Sequence, residues 1–186
     1  MRIALFGGTF DPVHNAHLKI AQEAQNAAKL DKVIFVPSGN PPHKEKVYAD
    51  KFHRLNMVKL AVLDYENFEV SSYEVDKKTY SYTYETLTHF KKLYPSDELF
   101  FIIGDDAYKK INEWYQWEKL FSLCEFLVFT RNNEKIDPPA KYFKITPMDV
   151  SSTEIRKKLC KKEYCGLQIP KRVLKYIKEH HLYEEV

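Results

Sequence analysis

Residues 3–17 have the sequence IALFGGTFDPVHNAH, and this stretch decides the fold. It opens with a short apolar run, Ile3 to Phe6, bounded by Gly7-Gly8, a pattern typical of a buried parallel strand that ends in a tight turn. Two adjacent glycines give the backbone conformations that are closed to other residues and let a ligand approach the main chain. Past Pro12 the apolar spacing becomes that of a helix running to about residue 28. The sequence therefore predicts a strand, a turn and a helix at the start of the chain.

Two histidines stand at the start of this predicted helix. His14 and His17 are three residues apart, so both imidazoles are expected on one face of its first turn. Free N–H groups and the positive end of the helix dipole favour a phosphate at the same place. Histidine caps and glycine turns are each common without function, but together they predict a phosphate-handling site. The stretch matches neither the dinucleotide fingerprint, nor the P-loop, nor the zinc-protease helix.

The string Gly7-Gly8-Thr9-Phe10-Asp11-Pro12-Val13-His14-x-x-His17 resembles the signature of the nucleotidyltransferase superfamily that uses an H-x-G-H motif. Within that superfamily it is most similar to the bacterial nicotinate mononucleotide adenylyltransferases. The resemblance implies that Gly7, Gly8, Thr9 and Phe10 bind ATP, and that His14 and His17 donate to its phosphates. Ala16 stands where the family usually has glycine, and we expect its methyl to narrow the space for the adenine or ribose without abolishing the site.

Composition limits the class of protein. The chain has 186 residues, 44% of them hydrophobic and 30% charged, which is typical of a single globular domain over residues 1–186. No apolar run approaches the ~18 residues of a membrane span, no leader pattern is present, and the net charge of +3 is mild. Three cysteines without C-x-x-C spacing indicate free thiols in a reducing cytosol. We expect a cytoplasmic protein without a nucleic-acid or membrane partner; a homo-oligomer is left open.

The rest of the chain predicts a Rossmann-like open parallel sheet with helices on both faces, because a second buried strand at 32–37 completes a βαβ unit. Within the helix predicted over 50–63, His53 and Arg54 are expected to lie on a solvated face. Further strands are predicted at 68–70, 98–103, 127–131 and 142–145, and further helices over 83–93, from 151 and from 170.

Two loops carry basic or acidic residues at predicted strand ends. After the second strand come His43 and Lys44, where a solvated turn and a phosphate site are about equally favoured by chemistry alone. The family resemblance makes Lys44 a cationic arm for substrate phosphate, with His43 beside it. Asp105 and Asp106 follow a buried strand, where a carboxylate either accepts sugar hydroxyls or caps the next helix. Asp106 is the candidate for the nucleotide's sugar.

The segment around Tyr82 and Thr83 is by composition only a helix start, with Thr83 or Ser81 as its cap. The resemblance implies that backbone amides there meet the nicotinate carboxylate. It also implies that the indole of Trp114, next to Tyr115, stacks on the pyridine ring, whereas Trp117 is expected to serve ordinary packing.

A capping box, Ser151-x-x-Glu154, predicts a helix start whose N–H groups can hold a phosphate, and Arg156 adds a fork of donors. The string Ser-Ser-Thr-x-Ile-Arg, residues 151–156, is a second signature of the same family. It implies that Ser151, Ser152 and Arg156 hold the β- and γ-phosphates of ATP.

The resemblance supplies an expected reaction, in which the phosphate of nicotinate mononucleotide attacks the α-phosphorus of ATP. Mg²⁺ is expected to bridge phosphate oxygens without a protein cage. Sister transferases that act on nicotinamide mononucleotide, on phosphopantetheine, or with CTP on a polyol phosphate remain alternatives. A dehydrogenase is disfavoured because G-x-G-x-x-G is missing, and a nucleotide sensor because His14, His17, Lys44 and Arg156 are all retained.

Overall fold

The computed structural model describes residues 1–41, 46–130, 140–144, 148 and 150–185, in which strands and helices alternate along the chain. The strands are β1 (Arg2–Gly8), β2 (Lys32–Pro37), β3 (Phe68–Val70), β4 (Glu98–Gly104), β5 (Glu125–Thr130) and β6 (Lys141–Lys144). The helices are α1 (Asn15–Ala28), α2 (Lys51–Val62), α3 (Thr83–Leu93), α4 (Asp105–Tyr108), α5 (Trp117–Leu123), α6 (Ser152–Cys160) and α7 (Lys171–Glu179), with a 3-10 helix at Ile111–Glu113.

The six strands of the described ranges form one sheet in the order β3-β2-β1-β4-β5-β6, and every neighbouring pair is parallel. The chain moves outward from β1 to β3 and then returns to β4 on the other side of β1. Open α/β sheets bind ligands outside the carboxyl ends of the strands at such a switch point. The predicted Rossmann-like parallel sheet is confirmed, and its topology marks the crevice where β1 and β4 end.

Side chains of β1 alternate between two buried clusters, one on each face of the sheet. Ala4 and Phe6 pack with residues of α1, α2, α6 and α7. Ile3 and Leu5 pack with residues of α3 and α5. Helices therefore cover both faces, as predicted, and hold the central strands rigidly beneath the crevice.

The helix starts differ from prediction in two places. The N-cap residue of α3 is Tyr82, and Thr83 is the first helical residue. The prediction that Ser81 or Thr83 caps this helix is therefore wrong. Gly104 is the N-cap residue of α4, so Asp105 and Asp106 lie inside its first turn instead of capping it. The helix that one alternative for Asp105 and Asp106 required is present as α4, whereas α5 was not expected, because seven residues are too few to show a helical period.

The cysteines are free thiols, as predicted. Cys124 and Cys165 are buried, and burial raises the pKa of both thiols. Among the described helices, none combines the length and the apolar composition that a bilayer-spanning segment requires.

Candidate active site

A cavity of about 390 Å³ opens at the carboxyl ends of the central strands. This volume is within the range of small-molecule sites. Gly7 and Gly8 from β1 and Gly104 from β4 line it, so it lies at the switch point of the sheet. Its predicted site residues fall into two groups, which are Gly7, Gly8, Thr9, Phe10 and His17 from the first signature, and Tyr82, Thr83, Trp114 and Tyr115 from later in the chain. The apolar side chains of Phe6, Phe101 and Phe129 complete much of the lining.

The two glycines of the first signature leave room for neighbouring side chains, and neither adopts a backbone conformation that only glycine favours. Gly7 and Gly8 are the last two residues of β1, and none of the five glycines of the chain has a positive φ. Within the first signature, Phe10 has a positive φ, of 50°. A Cβ on Gly8 would come within 2.8 Å of the Phe10 ring, so a side chain there would displace that ring. The predicted tight turn at the glycines is therefore wrong, and the chain turns after Thr9.

The two histidines lie together at the start of α1, as predicted. His14 is the N-cap residue, and its ring stacks on that of His17 with centroids 3.7 Å apart and an interplanar angle of 22°. The backbone N–H of His14 donates to Nδ1 of His17 over 3.2 Å. Because Nδ1 accepts, the proton of a neutral His17 imidazole is on Nε2. His17 lines the cavity, whereas His14 is only 5% exposed.

The carboxylate of Asp11 organises the backbone around this helix start. It is 3% exposed and accepts hydrogen bonds from the N–H groups of Tyr48 and Ala49 over 2.8 and 3.1 Å. It also accepts one from the phenol of Tyr183 over 2.7 Å. Asp11 thus joins the first signature to the segment before α2 and to the C-terminal part of the chain.

The second signature meets the first one directly. Nη1 of Arg156 donates to the carbonyl oxygen of Asp11 over 2.7 Å, and the hydroxyl of Ser152 donates to that of Pro12 over 3.0 Å. The guanidinium carbon of Arg156 lies 4.2 Å from the centre of the Tyr48 ring. Ser151 caps α6 by accepting from the N–H of Glu154, as predicted. Residues 151–156 are therefore adjacent to the turn that leads into His14, although they do not line the cavity.

The second group of cavity residues surrounds the start of α3. The first N–H groups of α3 belong to the residues that follow its N-cap residue, Tyr82. The ring centroids of Tyr82 and Tyr115 lie 5.0 Å apart. The ring of Trp114 stands edge-on to Phe101 with centroids 6.4 Å apart. A helix start beside an indole offers an anion site next to an aromatic surface. Trp117 packs against Phe121, as expected of a structural residue.

The methyl group of Ala16 was expected to narrow the space for the adenine or ribose next to the helix start. Ala16 is 6% exposed and belongs to the buried cluster on the α1 face of the sheet. Its methyl group therefore fills the core behind the helix.

Asp106 is a predicted site residue that does not line the cavity. Asp106 is exposed on α4, and the cavity there is lined by Gly104 and Ala107. Its neighbour Asp105 is only partly exposed, and its carboxylate accepts a hydrogen bond from the hydroxyl of Thr130 over 3.0 Å. His43 and Lys44 lie outside the described residues.

Sequence reasoning missed two buried charged residues, of which Glu74 lines the cavity and Arg54 lies behind it, bonded to the carbonyl groups of Thr9 and Gly39. Glu74 lines it and is 7% exposed; its carboxylate accepts a 2.6 Å hydrogen bond from Thr86, and burial raises its pKa. Arg54 was expected on a solvated face, but it is 1% exposed. Its spacing to Val58 and Ala61, four and seven residues on, is that of one helix face, and this signal could have placed it in the core.

Comparison with known proteins identifies the family. Residues 5–158 match the family model described as cytidylyltransferase-like. The chain belongs to the cytidylyltransferase-like family. The resemblance carried by residues 7–17 and 151–156 is thereby confirmed.

Within the cytidylyltransferase-like family, two relatives match nearly end to end. A probable nicotinate-nucleotide adenylyltransferase of Clostridium tetani is 45% identical, and the match covers 97% of this chain and 98% of the relative. The nicotinate-nucleotide adenylyltransferase of Bacillus subtilis is 39% identical, with 98% of each chain covered. A solved structure of the Plasmodium falciparum nicotinic acid mononucleotide adenylyltransferase, complexed with NaAD, superposes with a TM-score of 0.82 at 24% identity over 98% of this chain and 97% of that one. This last likeness shows the shared fold.

Proposed function

We propose that this chain transfers the adenylyl group of ATP to nicotinate mononucleotide and releases nicotinate adenine dinucleotide and pyrophosphate. The observation that carries the proposal is that one cavity is lined by the strand end and His17 of the first signature and also by Tyr82, Thr83 and Trp114. A dinucleotide product needs a phosphate site and an aromatic base site within one crevice. The relatives of the chain bear the name of this activity.

The proposed chemistry is alignment and charge stabilisation. The phosphate of nicotinate mononucleotide is already anionic, so no protein base is needed to activate it. His17 would donate from Nε2 to a phosphoryl oxygen where negative charge develops, since its Nδ1 is held by the backbone of His14. His14, stacked on this ring, would donate beside it and keep the His17 imidazole in place.

The other predicted site residues would bind the β- and γ-phosphates of ATP and the nicotinate ring of the second substrate. Arg156 and the helix start at Ser151 and Ser152 would hold the β- and γ-phosphates of ATP, because they adjoin the turn before His14. Lys44 and His43 would bring the two anions together, on the strength of the family resemblance alone. The N–H groups that follow Tyr82 would bind the nicotinate carboxylate, and Trp114 with Tyr115 would cover the pyridine ring.

Mg²⁺ is part of the proposal as an ion carried by ATP. Among the residues that the structure describes, no group of three His, Cys, Asp or Glu side chains is arranged to hold a metal. The buried carboxylate of Asp11 is engaged by three hydrogen bonds. As the resemblance implies, the ion would be bound mainly through phosphate oxygens and water, and it would supply positive charge for the departing pyrophosphate.

The deciding experiment compares acceptors. The purified chain is incubated with ATP, Mg²⁺ and either nicotinate mononucleotide, nicotinamide mononucleotide or phosphopantetheine, and pyrophosphate and the adenylylated product are quantified. We expect equimolar pyrophosphate and nicotinate adenine dinucleotide, formed fastest with the nicotinate substrate. Turnover with only another acceptor would identify a sister transferase, and ATP binding without pyrophosphate would identify a sensor.

We assign the reaction to the cytoplasm, which the free thiols support.

A further inference from the structure

Arg54 joins three separate backbone segments with one guanidinium group. Its Nη1 donates to the carbonyl oxygen of Thr9 over 2.7 Å, and its Nη2 donates to that of Gly39 over 3.0 Å. Its Nε donates to the carbonyl oxygen of Ala49 over 3.1 Å. The segment after β1, the segment after β2 and the segment before α2 are therefore fastened to the same rigid fork.

Two of these segments line the proposed active site. Thr9 lies between Gly8 and Phe10, all three of which line the cavity, and Gly39 lies between the lining residues Ser38 and Pro41. Behind Gly39 there is no free space, because a Cβ at that position would lie 2.1 Å from the carbonyl oxygen of Glu74. The position of Gly39 is thus fixed between Glu74 and Arg54, and through Arg54 it is fixed relative to Thr9.

Burying the guanidinium group of Arg54 costs free energy of desolvation, which the geometry of its hydrogen bonds has to offset. Arg54 is 1% exposed, and all its hydrogen bonds within the described residues go to neutral carbonyl groups. Burial lowers the pKa of Arg54, while the nearby carboxylate of Asp11 acts in the opposite direction. A planar guanidinium can point donors at three acceptors at once, which a lysine ammonium on a flexible stem cannot do with the same geometry.

We propose that Arg54 is a positioning residue for adenylyl transfer, which fixes the distance between the strand end at Thr9 and the segment 38–41, both of which border the same cavity. This inference rests on the proposed function. Arg54 touches neither substrate and acts through the carbonyl groups of Thr9 and Gly39. A misplacement of about 1 Å between two reacting groups is enough to cost on the order of 10²-fold in rate.

The test compares Arg54→Lys with a control variant of similar stability loss. Leu99→Ala serves as the control, because Leu99 is 4% exposed and sits at the amino end of β4, away from the cavity. Both are assayed well below their melting temperatures, with kcat and KM measured separately for ATP and for nicotinate mononucleotide. We expect Arg54→Lys to lower kcat by about 10-fold to 100-fold with smaller changes in KM. Leu99→Ala should keep a kcat near that of the wild type.

Amide hydrogen exchange gives a readout that does not depend on turnover. Two reporter amides border the fastened segments, namely the N–H of Ser38, bonded to the carbonyl of Gly8, and the N–H of Ser81, bonded to that of Asn40. In Arg54→Lys both should exchange faster under native conditions, while they stay protected in Leu99→Ala.

The outcomes separate the two proposals. A folded Arg54→Lys with wild-type kcat and wild-type protection of both amides overturns the role of Arg54. A wild-type chain without adenylyl transfer overturns the proposed function instead. In that case the exchange data still show whether Arg54 fixes the two segments, and unchanged protection rejects this as well.

Discussion

The phenol of Tyr183 donates a 2.7 Å hydrogen bond to the carboxylate of Asp11, 172 positions earlier in the chain. Both groups are buried, and the same carboxylate holds the backbone of Tyr48 and Ala49. Burial beside Asp11 raises the pKa of Tyr183, so the phenol keeps its proton. A residue near the C-terminus thus helps to shape the turn that precedes the two histidines.

Replacing Tyr183 by Phe should destabilise the protein. The variant removes one of the two donors to Oδ1 of a buried carboxylate, which keeps the N–H of Ala49, and hydrogen bonds to charged groups contribute about 1.5–3 kcal/mol. We expect the free energy of unfolding, measured with urea, to fall by about that amount. Tyr164→Phe is the matched control because Tyr164 is 77% exposed, and it should leave stability unchanged. Equal stability of the two variants would contradict a structural role for this bond.

Replacing His17 by Ala should lower turnover by roughly 10²-fold or more, the scale of losing one donor to a transition-state oxyanion. The measurement is kcat for pyrophosphate release with ATP and nicotinate mononucleotide. His181→Ala is the control, since His181 is an exposed residue paired with Glu184. Near-normal turnover of a folded His17→Ala variant would remove His17 from the mechanism.

Replacing Tyr48 by Leu should weaken ATP binding, because the guanidinium of Arg156 lies over the Tyr48 ring. A cation–π contact contributes about 0.5–2 kcal/mol, so KM for ATP should rise by about 2-fold to 30-fold. Tyr48→Phe keeps the ring and should behave like the wild type. If Leu and Phe give the same KM, Arg156 does not depend on this ring for ATP binding.

Replacing Trp114 by Leu should raise KM for nicotinate mononucleotide and leave KM for ATP nearly unchanged. Aromatic stacking contributes on the order of 1 kcal/mol beyond the buried area, which corresponds to about a fivefold effect. Trp117→Leu is the control, since Trp117 packs against Phe121 and does not line the cavity. A rise confined to KM for ATP would place the pyridine ring elsewhere.

The buried carboxyl of Glu74 should make stability depend on pH. Burial raises its pKa above the ordinary value of 4.5, so the folded protein binds this proton more tightly than the unfolded chain does. The stabilisation is complete below that ordinary value and is lost as pH rises through the higher pKa of the folded state. Glu74→Gln lacks this loss, so its stability relative to wild type should increase with pH across that window and then level off. Urea titrations at several pH values measure the difference, and a constant difference would contradict the prediction.

Strand positions and the helix starts at His14 and Ser151 could be predicted because both are local in sequence. Apolar runs such as Ile3 to Phe6 and turn residues at their ends determine where strands lie, and the structure differs only by a residue or two at their ends. Helical spacing could have placed Arg54 on the buried face of α2, but the partners of Arg54 and of Glu74 could not be read from local sequence. A charged side chain is buried only when the tertiary fold supplies its partners, here the carbonyl groups of Thr9 and Gly39 for Arg54, and these partners are distant in sequence.

The strand order also has a consequence for biosynthesis. β1 is translated before β4, but Arg2 pairs with Glu98, 96 residues later, and until β4 leaves the ribosome one side of β1 has no partner. An apolar strand with an open edge is prone to pair with other chains. We therefore expect a stalled nascent chain that ends before β4 to be retained by chaperones or to aggregate, and the sheet to close only once the second half of the polypeptide has been made.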